Sequence, residues 1–95
     1  MDKIAGSFVW DNEKEAQNIR KHGVDFLTAA RVFKDPDRKI YTDSKHNAVE
    51  ERHFCIGIVG NRVLTVRFTY RESRVRIFGA GYWRKGRIYY EKKDD

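Results

Sequence analysis

Residues 52–81 read as three β-strands joined by two tight turns, and this run constrains the fold more than any other part of the chain. Gly60-Asn61 separates HFCIGIV from RVLTVRFTY. It is a two-residue hairpin signal, because such turns need residues that tolerate positive φ. Glu72-Ser73 is a poorer turn sequence, but the strand-like runs on either side demand a reversal there. With two-residue turns at both places the pairing follows by counting: Val59 opposes Arg62, and Arg71 opposes Arg74. Side chains alternate along a strand, so one face carries Cys55, Gly57, Val59, Leu64, Val66, Phe68, Tyr70, Val75 and Ile77, a core side. The other carries Thr65, Arg67, Thr69, Arg71, Arg74 and Arg76, with Phe54, Ile56, Ile58, Val63 and Phe78 toward its far end.

That second face poses the functional question. Like charges opposed across a ladder weaken it, and a purely solvated face would mix in glutamates and lysines. Between residues 62 and 87 there are eight Lys or Arg and one acid, Glu72. The whole chain has 20 Lys+Arg against 14 Asp+Glu, a net charge of +6. Two readings stand: a basic face turned to water, or a surface that holds phosphate or carboxylate, for which the planar guanidinium is suited. The arginine spacing favours the second, and the charge points to nucleic acid first and an acidic protein second. The tail GAGYWRKGRIYYEKK interleaves Tyr82, Trp83, Tyr89 and Tyr90 with Arg84, Lys85 and Arg87. Base stacking with phosphate contact uses that composition. A short helix burying Trp83, Ile88 and Tyr90 accounts for it as well, with Gly86 costing such a helix about 1 kcal/mol.

Upstream, residues 7–10 predict a short strand. Asn12 and Glu15 have capping-box spacing for a helix running to about His22, with Gly23 as its left-handed cap. Ala16 and Ile19 are nearly the only apolar residues of that helix, so its packed stripe is narrow. Asp25 is placed to cap a second helix carrying Phe26, Ala29, Ala30 and Phe33 on one face, ended by Lys34-Asp35-Pro36. A strand near Lys39–Thr42 and a polar loop, DSKHNAVEE, expected to be mobile, lead into the meander.

Ninety-five residues suffice for one domain with one core, here expected to span 1–95. No apolar run reaches the roughly 18 residues of a membrane span, and the first residues lack a signal peptide's apolar stretch, so the expectation is a cytoplasmic protein without membrane contact. Cys55, the single cysteine, sits in an apolar strand and reads as core. His22, His46 and His53 have no zinc-ligand spacing, no nucleotide-binding glycine loop is present, and no cofactor is expected. What remains is metal-free chemistry on RNA, which carries its own 2′-OH nucleophile and asks of a protein only cationic donors and a proton carrier. Arginines supply the first; His22, Glu51, His53 or a tyrosine the second. His22 as a helix-end cation and Glu51 as an arginine's partner are the alternative readings of those two.

FVWDNEKEAQNIRKHGVDFLTAARVFKDP followed by EERHFCIGIVGNRVLTVRFTYRESRVRIF resembles the BrnT family of type II toxins, small bacterial ribonucleases related in fold to RelE. The resemblance rests on Phe8, Trp10, Asp11, Asn18, Lys21, His22, Gly23, Val24, Phe26, Phe33, Asp35, Pro36, Glu51, Arg52, Ile56, Gly57, Arg74, Arg76 and Ile77. It implies an α+β, RelE-like domain: two N-terminal helices on a mainly antiparallel sheet with a short C-terminal helix. It also implies an RNA substrate and a BrnA-like ribbon-helix-helix antitoxin, with DNA reached only through that partner. The site residues it implies are Lys21, His22, Glu51, Arg74 and Arg76 for catalysis, with Arg67, Arg71, Arg84 and Lys85 binding RNA. One departure is visible. Gly79 and Gly81 stand where the family's last strand has a serine and an arginine, so a weakened or inactive toxin, or Arg84 reaching back, is implied too.

Overall fold

The structure is a computed structural model that describes residues 1–43 and 50–92. Residues 44–49 of the polar loop, His46 among them, lie outside the described residues. Six strands form one mixed sheet in the order β1-β2-β6-β5-β4-β3. They are β1 (Asp2–Ala5), β2 (Phe8–Asp11), β3 (Lys39–Thr42), β4 (His53–Val59), β5 (Arg62–Arg71) and β6 (Arg74–Gly81). The helices are α1 (Asn12–His22), α2 (Phe26–Ala30) and α3 (Arg84–Glu91), and a 3₁₀ turn, Arg31–Lys34, continues α2. β2 runs parallel to β6, and the remaining pairings are antiparallel.

The counted register holds. Val59 opposes Arg62 and Arg71 opposes Arg74. Glu72 and Ser73 both take positive φ, 52° and 65°, the backbone of a type I′ turn. The one break is a β-bulge: Arg67 opposes Gly79 while Phe68 opposes Ile77, leaving Phe78 as the extra residue. It returns Ala80 to the core side and turns Gly79 and Gly81 to the arginine face.

The core lies between the sheet and α1–α2. Trp10, Val24, Phe26, Ala29, Val32, Cys55, Leu64, Val66, Phe68, Ile77 and Ala80 are fully buried in it. Burial pushes the Cys55 thiol up to about 12, which leaves it a packing group. The helix starts differ from expectation in one respect. Asp11, not Asn12, caps α1 through Lys14 N, and Glu15 instead accepts hydrogen bonds from Trp10 Nε1 and Phe26 N. Gly23 is the left-handed cap at φ 69°, and Asp25 caps α2 through Thr28. The buried residue of α1 is Asn18, while Ile19 stays exposed. Strand β1, pairing Ile4 with Val9, had no sequence signal strong enough to predict it.

α3 lies on the opposite face. Its buried residue is Gly86, with Ile88 exposed, the reverse of an apolar stripe. A Cβ on Gly86 would stand 2.0 Å from Thr65 Oγ1, itself buried without a hydrogen-bond partner. The helix therefore sits on the sheet only because that position has no side chain. Its far end is held by Tyr90, whose hydroxyl donates to Asp35 Oδ2 at 2.6 Å, and by Lys39 Nζ, which donates to the carbonyls of Tyr89 and Lys92. Propensity alone predicts that Gly86→Ala stabilises the chain by about 1 kcal/mol. The packing predicts the opposite sign, a loss of about 1–3 kcal/mol in urea unfolding. Adding Thr65→Ala should recover much of that loss.

Candidate nucleic-acid interface

Every arginine counted onto the outer face is there, but their partners differ. Arg76 makes a two-pronged contact with Asp2, 2.9 and 3.0 Å, reaching across β2 to the edge strand. Arg71 pairs with Glu50. Arg67 leans over Gly79, its Cδ 3.5 Å from where a Cβ would be, and its guanidinium lies 5.1 Å from the Phe78 ring. Arg52 reaches the same ring at 5.0 Å. Arg74 makes no ion pair with a described residue. Two of these cations are thus offset by acids from elsewhere in the chain, and among the described residues Arg67 and Arg74 make no ion pair.

The proton-carrier candidates fall in three places. Glu51 precedes β4 and its carbonyl accepts from Thr69 Oγ1, across the ladder from Arg76. The Glu51 main chain thus borders the hairpin end of the face that carries Arg74 and Arg76, while the side chains of its neighbours Glu50 and Arg52 are the ones that reach that face. His22 ends α1 and meets the Trp83 ring edge-on at 5.1 Å, with Lys21 exposed beside it. From Trp83, which packs on Gly81, to the level of Arg76 is five residues of strand, about 16 Å. Lys21 and His22 do not join the other three in one constellation. His53 is on the helix side, against Phe68 and Tyr70, with the sheet between it and the arginines. Among the described residues, no three of His, Cys, Asp or Glu gather as a metal-ligand set.

The last strand's glycines have a definite consequence. A Cβ at Gly81 would fall 2.7 Å from the Trp83 indole, so that ring occupies the room a side chain at 81 would use. Arg84 does not replace it; it is exposed at the start of α3. Trp83, not Arg84, fills the space.

Beside α3 the outer face opens into a cleft of about 870 Å³ lined by Tyr41, Phe54, Arg67, Trp83, Lys85 and Tyr89 among others. Its floor is one row of the sheet, since Gly79 opposes Arg67, Arg67 opposes Phe54 and Phe54 opposes Tyr41. The neighbouring row of Gly81, Thr65, Ile56 and Lys39 lies under α3. Tyr41 stacks on Phe54 at 4.8 Å and 14°, and meets Tyr89 at 5.0 Å. Burial raises the Tyr41 hydroxyl above its ordinary value, so it stays a neutral donor. α3 begins with two cations and no side-chain cap, which keeps its positive end uncompensated. Counting from residue 59 places Phe54 opposite Arg67 and so gives half of this floor. Tyr41 and the closing helix had no such signal.

A small basic α+β domain with its cations gathered on one sheet face is the class these features define. The chain belongs to the BrnT toxin family: residues 10–86 match the family described as "Ribonuclease toxin, BrnT, of type II toxin-antitoxin system". No curated protein sequence matches it. Membership carries an RNA substrate and an antitoxin partner as properties of the family. No described helix is long and apolar enough to cross a membrane.

The Asp2–Arg76 pair has a pH signature. The hydrogen bond from Arg76, ahead of other influences, holds the Asp2 carboxyl below its ordinary 3.8. The stabilisation from a depressed carboxylate is present above 3.8 and disappears as pH falls through the lowered folded value. An NMR titration of the Asp2 carboxyl carbon should give a midpoint below 3.8 in the native chain and close to it in Arg76→Gln. Equal midpoints would mean that the pair does not form in solution.

Proposed function

We propose that this chain is the toxin of a type II pair, an endoribonuclease that cuts RNA without a metal and is silenced by a BrnA-like ribbon-helix-helix antitoxin. The observation that carries the reading is the outer face of β5 and β6, where Arg67, Arg74 and Arg76 share one side of a sheet whose border is the main chain at Glu51. RNA laid along that face has its phosphates opposite guanidiniums and its 2′-OH groups within the same strip. In the proposed reaction the 2′-oxygen bonds to the adjacent phosphorus and the bond from phosphorus to the 5′-oxygen breaks. Glu51 takes the 2′-hydroxyl proton, water protonates the departing 5′-oxygen, and a 2′,3′-cyclic phosphate remains. Arg74 and Arg76 stabilise the charge that builds on the phosphoryl oxygens. Arg67, Arg71, Arg84 and Lys85 hold the backbone on either side, and Lys21 with His22 extends the cationic surface past Trp83. A RelE-like kinship of the fold, and DNA contact made only through the antitoxin, belong to the same reading.

One observation favours a second reading. Trp83 stands where the family arginine would project from position 81, and Arg71 and Arg76 are already held by carboxylates. A chain so arranged serves as a catalytically weakened module that binds RNA and antitoxin and acts in repression of its own promoter.

Purified protein incubated with end-labelled RNA in excess chelator separates the two. Cleavage with cyclic-phosphate ends is expected, reduced about 100- to 1,000-fold in Arg74→Ala. Glu51→Gln is expected to lower the rate constant without changing RNA affinity. RNA binding without cleavage in the native chain would leave the module reading in its place.

A further inference from the structure

The cleft beside α3 is a site that the phosphate-binding face does not explain. A row of guanidiniums would serve RNA equally well without aromatic rings at its edge. Here aromatic groups stand at both ends of the cleft, Trp83 over the row that lies under α3 and the Tyr41–Phe54 pair in the adjoining floor row. Trp83 stands over the β6 end, and Tyr41, stacked on Phe54 and backed by Tyr89, stands over the β3 end. Between the two ends lie Arg67 in the floor and Lys85 on the helix flank. Two strand spacings separate β6 from Phe54 on β4, about 9.5 Å, and Tyr41 stacks on Phe54 one strand further out. A single ring gripped between two walls needs only about 7 Å, one van der Waals contact on each side. The span exceeds what one ring needs, and the cleft offers two separate aromatic surfaces, Trp83 and the Tyr41–Phe54 pair, with the cations between them.

We infer that the cleft between α3 and strands β3–β6 is a subsite for two consecutive nucleotides of single-stranded RNA. One base rests on Trp83 and its neighbour on the Tyr41–Phe54 pair, and Arg67 and Lys85 take the phosphate that joins them. The inference rests on the ribonuclease reading above and names where that enzyme grips its substrate. The volume of about 870 Å³ lies within the roughly 300–1,000 Å³ of small-ligand sites. Arg67 and Lys85 outnumber the one acid in the lining, Asp43, so the cleft carries net positive charge. The floor sets the Arg67 guanidinium beside the rings of Phe54 and Tyr41, with Lys85 on the flank, the composition of a single-strand stacking platform. Trp83 also connects the cleft to His22, so a strand seated there passes from the arginine face toward the end of α1.

The test uses the full chain carrying Arg74→Ala, so that RNA survives, and hexamers of uridylate or adenylate as probes. Trp10 is fully buried whereas Trp83 is half-exposed, so quenching on titration reports on Trp83. Saturable quenching is expected, with affinity weakened about tenfold or more by Tyr41→Leu and retained in Tyr41→Phe. Circular dichroism of Tyr41→Leu checks that the fold is kept; if it is not, Lys85→Ala, on the exposed helix flank, is expected to weaken binding and flatten its salt dependence. Hexamer binding that persists undiminished in Tyr41→Leu and leaves Trp83 unquenched overturns the subsite but not the ribonuclease. Absence of hexamer binding in the native cleft, with cleavage of long RNA intact, overturns it too. Failure of both binding and cleavage removes the reading on which it rests. Loss of a co-purified antitoxin in Tyr41→Leu with hexamer affinity unchanged reassigns the cleft to the protein partner.

Discussion

The side-chain amide of Asn18 holds the molecule's two halves in register. β2 pairs with β6 only at Val75 and Arg76, so beyond that point one edge of β6 has backbone groups with no neighbouring strand. Asn18 takes the place of one. Its Oδ1 accepts from Ala80 N at 3.1 Å, and its Nδ2 donates to the carbonyls of Ala80 and Val24, both at 2.9 Å. A buried amide so fully satisfied is strong because every alternative partner is excluded, and any substitution strands several groups at once. It fixes the end of β6 after the bulge, and with it the direction in which Gly81 delivers the chain to Trp83 and α3. The cleft inherits its shape from a polar residue in the core.

The arginine face shows how a fold carries charge it would otherwise reject. Opposed guanidiniums at Arg71 and Arg74 are unfavourable on an antiparallel ladder. Asp2 arrives from an edge strand two neighbours away, and Glu50 from the segment before β4, each neutralising one cation. These are solvent-facing pairs of modest energy, so a polyanion can displace the acids from the arginines without dismantling the core. The rings contribute differently. Phe78, the residue extruded by the bulge, presents its ring to both Arg52 and Arg67, holding two cations near each other by attraction to its π-cloud.

Much of this was legible in the residues. The meander, its register, the Gly23 and Asp25 caps and the shared arginine face follow from periodicity of two and from turn chemistry. The bulge did not, because nothing in RVRIFGAG marks which residue will be extra, and its effect is to reverse which face Gly79 and Gly81 belong to. Periodicity and turn chemistry say nothing of Asn18, since its value depends on an orphaned strand edge 62 residues away. Gly86 was read as a helix weakness when it is the contact point, because propensity counts only what happens within the helix. Of the proposed site, the guanidiniums were visible as an alternation along single strands. The aromatic ends were not, since they assemble Tyr41, Phe54 and Trp83 from three separate elements.

The parallel pairing of β2 with β6 joins residue 8 to residue 75. A chain emerging from the ribosome makes β2 early, yet the place beside it stays vacant until residues 75 and 76 have been synthesised. Hairpins close quickly between neighbours, while contacts this distant wait on a long loop to close. During translation the arginine face is therefore among the last parts of the sheet to gain its neighbour, a consequence of one parallel pairing between distant segments.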